Sequence, residues 1–317
     1  MAIIRRRSLH ASLATVLLVV AGVACSNGPT QGTPLSPRTG GFPLTLTDDD
    51  GVRVTLRHVP HRIVTFGPSI TEIVFALGLG HRLVGVSGKS DNYPPAAERI
   101  TKVGGSGEFG VDPNVEKVLS LHPDLFLTIS GGVDWKKRLR ELGVPVFTID
   151  ATTFPDALHD IGTVGTLTGT ARRADALAAG MRRSAARIER SVRARPRVSC
   201  FFEDGYGPPV YTVGPGSFIY DMLQRAGCDP VTAGANTAYP QWSVEALVHE
   251  NPSAYLVDSE SARSIGVLRR RPGYDALDAV RRHRVFLVNG DLVARPGPRL
   301  VRGLAELAND LHPGASG

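Results

Sequence analysis

Apolar and polar positions change period along the chain, and the period names the elements. Leu44-Thr45-Leu46 and Val52-Arg53-Val54-Thr55-Leu56 alternate on either side of Asp48-Asp49-Asp50-Gly51, which predicts a β-hairpin closed by an Asp-Gly turn. From Arg62 onward, short apolar runs at 63–66, 83–86, 124–128 and 144–149 read as strands. Helical periods over 69–77, 115–121 and 135–142 fall between them. Ser69-Ile70-Thr71-Glu72 has the form of a capping box, with Glu72 reaching back to a free N–H. One segment differs. Over 171–192, Leu177, Met181, Ala185, Ile188 and Val192 make one apolar stripe, with Arg172, Arg173, Arg182, Arg183, Arg187 and Arg190 mostly off it. At about 1.5 Å per residue this helix would be more than about 30 Å long. A second series then predicts strands at 197–202, 210–213, 254–257 and 284–288, and helices at 217–226 and 243–250. The pattern predicts an α/β fold: two Rossmann-like lobes with mostly parallel sheets, joined by one long rigid α-helix. The expected boundaries are 42–152 for the first lobe, 153–195 for a linker with the long helix, and 196–314 for the second lobe.

The residues before the hairpin follow neither period. Arg5-Arg6-Arg7, the apolar run 13–20 and the small residues Ala21-Gly22-Val23-Ala24 lead to Cys25. The run is too short for a membrane span of about 20 residues, and its flanks are those of a signal peptide, 1–24. Cys25 after a small residue resembles a bacterial lipobox, although Gly22 stands where that motif prefers Leu. A diacylated Cys25 would anchor the chain on the extracytoplasmic face of the cell membrane; the alternative is an ordinary secretory signal with an incidental Cys. Residues 26–41, rich in Gly, Pro, Ser and Thr, read as a flexible tether. Export to an oxidising compartment leaves Cys200 and Cys228 either as a disulfide or as two buried thiols.

Composition narrows the function classes. With 42% hydrophobic and 21% charged residues, the 317-residue chain can bury a sizeable core. The formal charge of +6 includes Arg5, Arg6 and Arg7; about +3 remains without them, too little to argue for nucleic acid. Asp48-Asp49-Asp50 lacks the ligand spacing and closing Glu of a calcium loop. His58, His61, His81, His122, His159, His249, His283 and His312 supply no convincing metal set, which weakens a zinc or manganese receptor as a rival reading. A secreted hydrolase, the second rival, has no Gly-x-Ser-x-Gly elbow, His-Glu-x-x-His or phosphate loop to support it, and the Gly-rich stretch 103–110 reads as a tight loop. No catalysis, no cofactor and no bound metal are expected.

Two segments match in plan. Asn114-Val115-Glu116-Lys117 and Trp242-Ser243-Val244-Glu245 each put a Glu in the first turn of a helix that ends at a Pro leading into an apolar strand. Either these are two helix-start acids favoured by the dipole, or they are two matched exposed anions, one per lobe, that meet cations on a partner. Ser90-Asp91-Asn92-Tyr93-Pro94-Pro95, Val103-Gly104-Gly105 and Asn114-Val115-Glu116-Lys117, together with Tyr239-Pro240-Gln241-Trp242-Ser243-Val244-Glu245, resemble the ABC-transporter binding proteins that carry cobalamin, haem or ferric siderophores, and the cobalamin binders most. The resemblance covers about residues 42–312. It implies a monomer of two lobes with ligand in the cleft between them. It also implies docking of Glu116 and Glu245 on arginines of a permease dimer, which works with its ATPase. It points to Tyr93 and Tyr239 as aromatic walls, with Phe109 and Tyr206 nearby, and to Asp291 and Arg295 as the polar pair offered to the ligand. Arg suits a carboxylate, phosphate or amide edge, and loops after the last strand are where open α/β sheets hold ligands. Trp242 precedes the cap Ser243 and could face the cleft or the core. Trp135 lies on the apolar face with Leu139 and reads as core. Gly214-Pro215-Gly216-Ser217 opens a helix and is either a ligand-oxygen site or a plain capped start. Arg299 is expected to support the final helix.

Overall fold

Strands with no polar alternation form the centre of two sheets in the computed structural model, which describes residues 41–105, 112–205, 209–259, 261–262 and 264–315. The chain opens with the hairpin of β1 (Leu44–Thr47) and β2 (Arg53–Leu56), in which Leu44 faces Leu56 and Thr47 faces Arg53. Its acidic turn is tied to the protein. Asp48 accepts from the Val52 amide at 2.7 Å and pairs with Arg140 at 3.0 Å, and Asp50 pairs with the buried Lys136 at 2.8 Å.

The first sheet alternates strands and helices: β3 (Ile63–Phe66), α1 (Pro68–Ala76), β4 (Leu83–Gly85), α2 (Val115–Ser120), β5 (Leu125–Thr128), α3 (Val133–Glu141) and β6 (Val146–Thr148). The order is β4-β3-β5-β6, parallel throughout. Every residue of β3 and β5 is buried, as a sheet covered on both faces requires. The capping box is not formed. α1 starts at Pro68 with Gly67 as its cap, because proline's missing N–H costs nothing in a first turn; Ser69 and Glu72 therefore sit inside the helix.

Two helices link the sheets, α4 (Phe154–Leu167) and α5 (Ala171–Arg193). Sequence reading found only the second. α4 carries Gly162, Thr163, Gly165 and Thr166, all weak helix formers, and it forms through packing. A Cβ on Gly165 would lie 2.3 Å from the Ala174 methyl, so only glycine admits this close approach of α4 to α5. Thr153 caps α4 by accepting from the Asp156 amide. α5 buries Ala174, Ala178, Met181, Ala185 and Val192 and leaves Arg182, Arg183, Arg187 and Arg190 exposed. The buried face belongs to one hydrophobic cluster that runs without a break from Ile63 and Leu125 of the first sheet to Leu256 and Leu304 of the second half.

The second half comprises β7 (Val198–Gly205), β8 (Val210–Thr212), α6 (Phe218–Arg225), β9 (Cys228–Pro230), β10 (Gln241–Trp242), α7 (Val244–Glu250), β11 (Ala254–Asp258), α8 (Ile265–Arg269), α9 (Asp278–Arg281), β12 (Val285–Val288), α10 (Gly290–Val293) and α11 (Leu300–Leu311). Its sheet runs β10-β8-β7-β11-β12, with β9 beside the first part of β7. β7, β9, β11 and β12 are parallel, while at one edge β8 pairs antiparallel with β7 and β10 antiparallel with β8. Cys200 on β7 and Cys228 at the start of β9 are joined as a disulfide, with Cα atoms 5.9 Å apart. Beneath the sheet, the Glu203 carboxylate is fully buried and takes hydrogen bonds from Arg271 at 2.6 Å and the Tyr255 hydroxyl at 2.5 Å.

Candidate functional site

Side chains from both halves meet beyond the C-terminal ends of the strands, where this class of sheet leaves a crevice. Two stretches of the first half and one of the second contribute. Glu72 projects from α1, which follows β3. Asn92 and Tyr93 lie in the loop after β4. That loop is fixed by the buried Asp91, which accepts from the Ser87 hydroxyl at 2.6 Å, the Gly88 amide at 2.8 Å and the Thr71 hydroxyl of α1. Asp291 and Arg295 come from α10 and the turn after it, beyond β12, and Arg299 caps α11.

The contacts between these groups cross from one half to the other. Arg299 grips Glu72 with two hydrogen bonds, Nε to Oε2 at 2.8 Å and Nη2 to Oε1 at 2.6 Å. Its guanidinium also lies 4.2 Å from the centre of the Tyr93 ring, a cation–π contact. Arg295 pairs with Asp291, donates to the Asn92 side-chain oxygen at 3.0 Å, and reaches Glu72 at 3.5 Å. Asn92 completes the ring by donating to Asp291 at 3.2 Å. The Glu72 hydrogen bonds raise Arg299 above the ordinary guanidinium range against the opposing effect of burial. Gly297 brings the two backbones together: a Cβ there would lie 3.3 Å from the Ser69 carbonyl oxygen of α1. Glu72 is 2% exposed and both arginines 13%, whereas the Tyr93 ring is 41% exposed. The result is a charge-paired polar floor with an aromatic face open beside it.

Tyr239 belongs to the second half and is 58% exposed. Partial burial, then the charges of Asp204 and of Asp150 from the first half, raise its hydroxyl above the usual tyrosine value. Trp242, on the edge strand β10, packs against the cluster containing Leu247, Tyr255 and Leu268, and its indole Nε1 is buried with no hydrogen-bond partner among the described residues. Trp135 stands in an aromatic group with Phe66 and Phe126, at centroid distances of 5.6 and 5.7 Å. Phe109, Tyr206 and Cys25 lie outside the described residues. Ser217 simply caps α6 by accepting from the Tyr220 amide. Arg299 departs from its expected role: it opens α11, but its side chain turns away to Glu72, because a buried carboxylate needs a paired, hydrogen-bonding cation. Sequence spacing could not announce that pair, since 227 positions separate its members.

Glu116 and Glu245 occupy equivalent places. Each is exposed in the first turn of its helix, α2 behind the Asn114 cap and α7 behind the Ser243 cap. Hydrogen bonds from its own backbone N–H and from Ser243 hold the Glu245 carboxyl below the usual carboxylate range. A hollow of about 490 Å³ lies elsewhere, between the C-terminal end of α5 and α6, lined by Arg193, Arg195, Arg197, Arg225 and their acidic neighbours. It holds none of the residues of the polar floor. Among the described residues no three His, Cys, Asp or Glu side chains are grouped so that they could hold a metal ion, and no helix is long and apolar enough to cross a membrane.

Known proteins share this plan. Residues 63–292 match the family model described as periplasmic binding protein. The chain is 34% identical to an ABC transporter substrate-binding lipoprotein, YvrC, of Bacillus subtilis over 98% of both chains. It is 32% identical to a cobalamin-binding protein of Halobacterium salinarum, over 95% of this chain and 82% of that one. Among solved structures, a possible iron-binding periplasmic solute-binding protein of Staphylococcus epidermidis superposes with a TM-score of 0.69 at 28% identity, covering 80% of this chain and 99% of that one. A family match across most of the length, two α/β halves linked through a long helix, and a polar floor where those halves meet lead to one assignment: the chain belongs to the periplasmic binding protein family.

Proposed function

We propose that this protein is the extracytoplasmic substrate-binding component of an ABC importer, anchored through a lipidated Cys25, which captures a corrinoid and passes it unaltered to a permease. The observation that carries the reading is the floor itself. Arg295, Arg299 and Asp291 meet Glu72, Asn92 and Tyr93 from the other half, so a ligand held there touches both halves at once. An exposed tyrosine face suits a flat macrocycle, because aromatic rings bury much area at small entropic cost. The 32% identity to a cobalamin-binding protein supports a corrinoid as ligand. A second reading, an iron chelate such as haem or a ferric siderophore, is favoured by the likeness to the Staphylococcus epidermidis protein.

Purified protein is mixed with cyanocobalamin, hemin or a ferric hydroxamate, passed through a desalting column and examined by visible absorption. Co-elution of cyanocobalamin alone supports the first reading; co-elution of only an iron compound replaces it with the second. Docking is tested separately. Reversal of Glu116 and Glu245 to Arg abolishes uptake in cells while ligand affinity stays the same, and undiminished uptake would remove those residues from the interface. Lipidation is read from the acyl mass on the N-terminal peptide, which Cys25→Ser eliminates.

A further inference from the structure

The floor where the halves meet carries balanced charge. Arg295 and Arg299 are opposed by Glu72 and Asp291, and each guanidinium is engaged by a carboxylate at hydrogen-bonding distance. Asp91, next to Asn92, is taken up by Ser87, Gly88 and Thr71 on the side of the first half. Glu72 is distinctive among these groups. It is almost fully buried, it comes from the opposite half, and it holds Arg299 by two short hydrogen bonds while reaching Arg295 at 3.5 Å, whereas Asp291 is close to Arg295 and 3.9 Å from Arg299. A bidentate pair of this kind is among the stronger polar contacts available to a protein. It leaves the arginines with little capacity for a second anion.

We infer that Glu72 is a specificity-determining counter-charge: by satisfying Arg299 and sharing Arg295, it makes the cleft accept ligands whose edge is neutral and rich in amides and discriminate against ligands that present carboxylates. The inference rests on the proposed use of this cleft for ligand, and it extends that reading from the shape of the ligand to its charge. A carboxylate entering the floor must displace Glu72 or remain unpaired beside it, and burial of unpaired like charges is costly. An amide edge can donate to Asp291 and accept from the remaining N–H groups of Arg295 without breaking the bidentate pair. A purely structural strut would hold the halves together equally well but would not sort ligands by charge.

The test compares cyanocobalamin, whose rim carries uncharged amides, with hemin, which carries two carboxylates. Dissociation constants are measured by visible titration for the wild type, Glu72→Gln, and the double variant Glu72→Gln with Arg299→Gln. In E72Q one positive charge is unmasked, and the preference moves towards hemin by about tenfold or more, the worth of one charge-assisted hydrogen bond. The double variant is neutral again and returns to the wild-type ratio. An unchanged ratio in E72Q, or a double variant that keeps the switched ratio, overturns the inference. If the wild type binds neither probe, the corrinoid reading fails by itself; gain of hemin binding by E72Q then still supports the counter-charge, and its absence rejects it. Asn92→Lys, at an exposed position of the same floor, adds a positive charge beside Arg295 and takes no part in the two Arg299–Glu72 hydrogen bonds. It serves should E72Q fail to fold: a shift towards hemin supports the charge balance, and an unchanged ratio rejects it.

Discussion

Asp160 gives the sharpest numerical prediction. It is 4% exposed on the inner face of α4, and burial, followed by repulsion from Asp49, Asp156 and Asp150, raises its carboxyl to about 8 although a hydrogen bond from the Ala151 backbone opposes the shift. The folded protein therefore holds a proton at neutral pH that the unfolded chain, with an ordinary aspartate near 3.8, releases. A group raised on folding contributes its full stability below its unfolded value and loses it as pH climbs through the folded value. Between about pH 4 and pH 8 the cost grows by about 1.4 kcal/mol per pH unit, reaching of the order of 4 kcal/mol at pH 7. Asp160→Asn is isosteric and never needs that proton. Its thermal midpoint should match the wild type near pH 4 and exceed it by roughly 10 °C at pH 7, using about 2–4 °C per kcal/mol for a body of this size. Circular dichroism melts at unit pH steps from 4 to 9 provide the measurement. Parallel curves, or a gap that widens towards acid, would refute the argument.

The buried Glu203–Arg271 pair predicts a large effect from breaking it and a small one from replacing it. Arg271→Met leaves a fully buried carboxylate with only the Tyr255 hydroxyl and should destabilise by about 3–5 kcal/mol, whereas adding Glu203→Leu should recover most of that, as read by urea denaturation. The Cys200–Cys228 disulfide closes a loop of 28 positions, so the double alanine variant should lose about 3–4 kcal/mol under oxidising conditions and be indifferent to reductant. Tyr239→Ala, at an exposed ring beside Asp204 and Asp150, should weaken ligand binding by at least about tenfold in the same visible titration, with little change in melting temperature; unaltered affinity would move the aromatic wall elsewhere.

What the chain discloses by itself depends on how far each interaction reaches. The hairpin, the strands of the first sheet and the long helix are local patterns, and their periods are visible in a window of ten or twenty residues. Trp135 was readable as core because Leu139 follows it by one turn, and both are packed inward. α4 was not readable, since its glycines and threonines argue against a helix until α5 is in place beside them. Glu72 misled for the opposite reason. Its local context satisfied a capping rule, and the stronger partner, Arg299, was supplied by the far end of the sequence. Asp291 and Arg295 stand after the last strand, where the resemblance implies a polar pair for the ligand, but two of the three protein partners of Arg295, Asn92 and Glu72, lie 203 and 223 positions away and leave no local mark. β8 is legible as the strand at 210–213 but its antiparallel direction is not, and β10, two residues long, is too short to show a period at all.

The unbroken cluster that passes from one sheet through α4 and α5 into the other has a consequence for dissection of the molecule. Neither half owns a complete interior: a fragment ending before α5 would lose Ala174, Ala178, Met181 and Ala185 from the shared cluster and the packing partner of α4, and a fragment beginning after it would leave α11 without α5. A nicked or genetically split chain should therefore assemble only when both pieces are present together, and limited proteolysis of the intact protein should release no soluble single half.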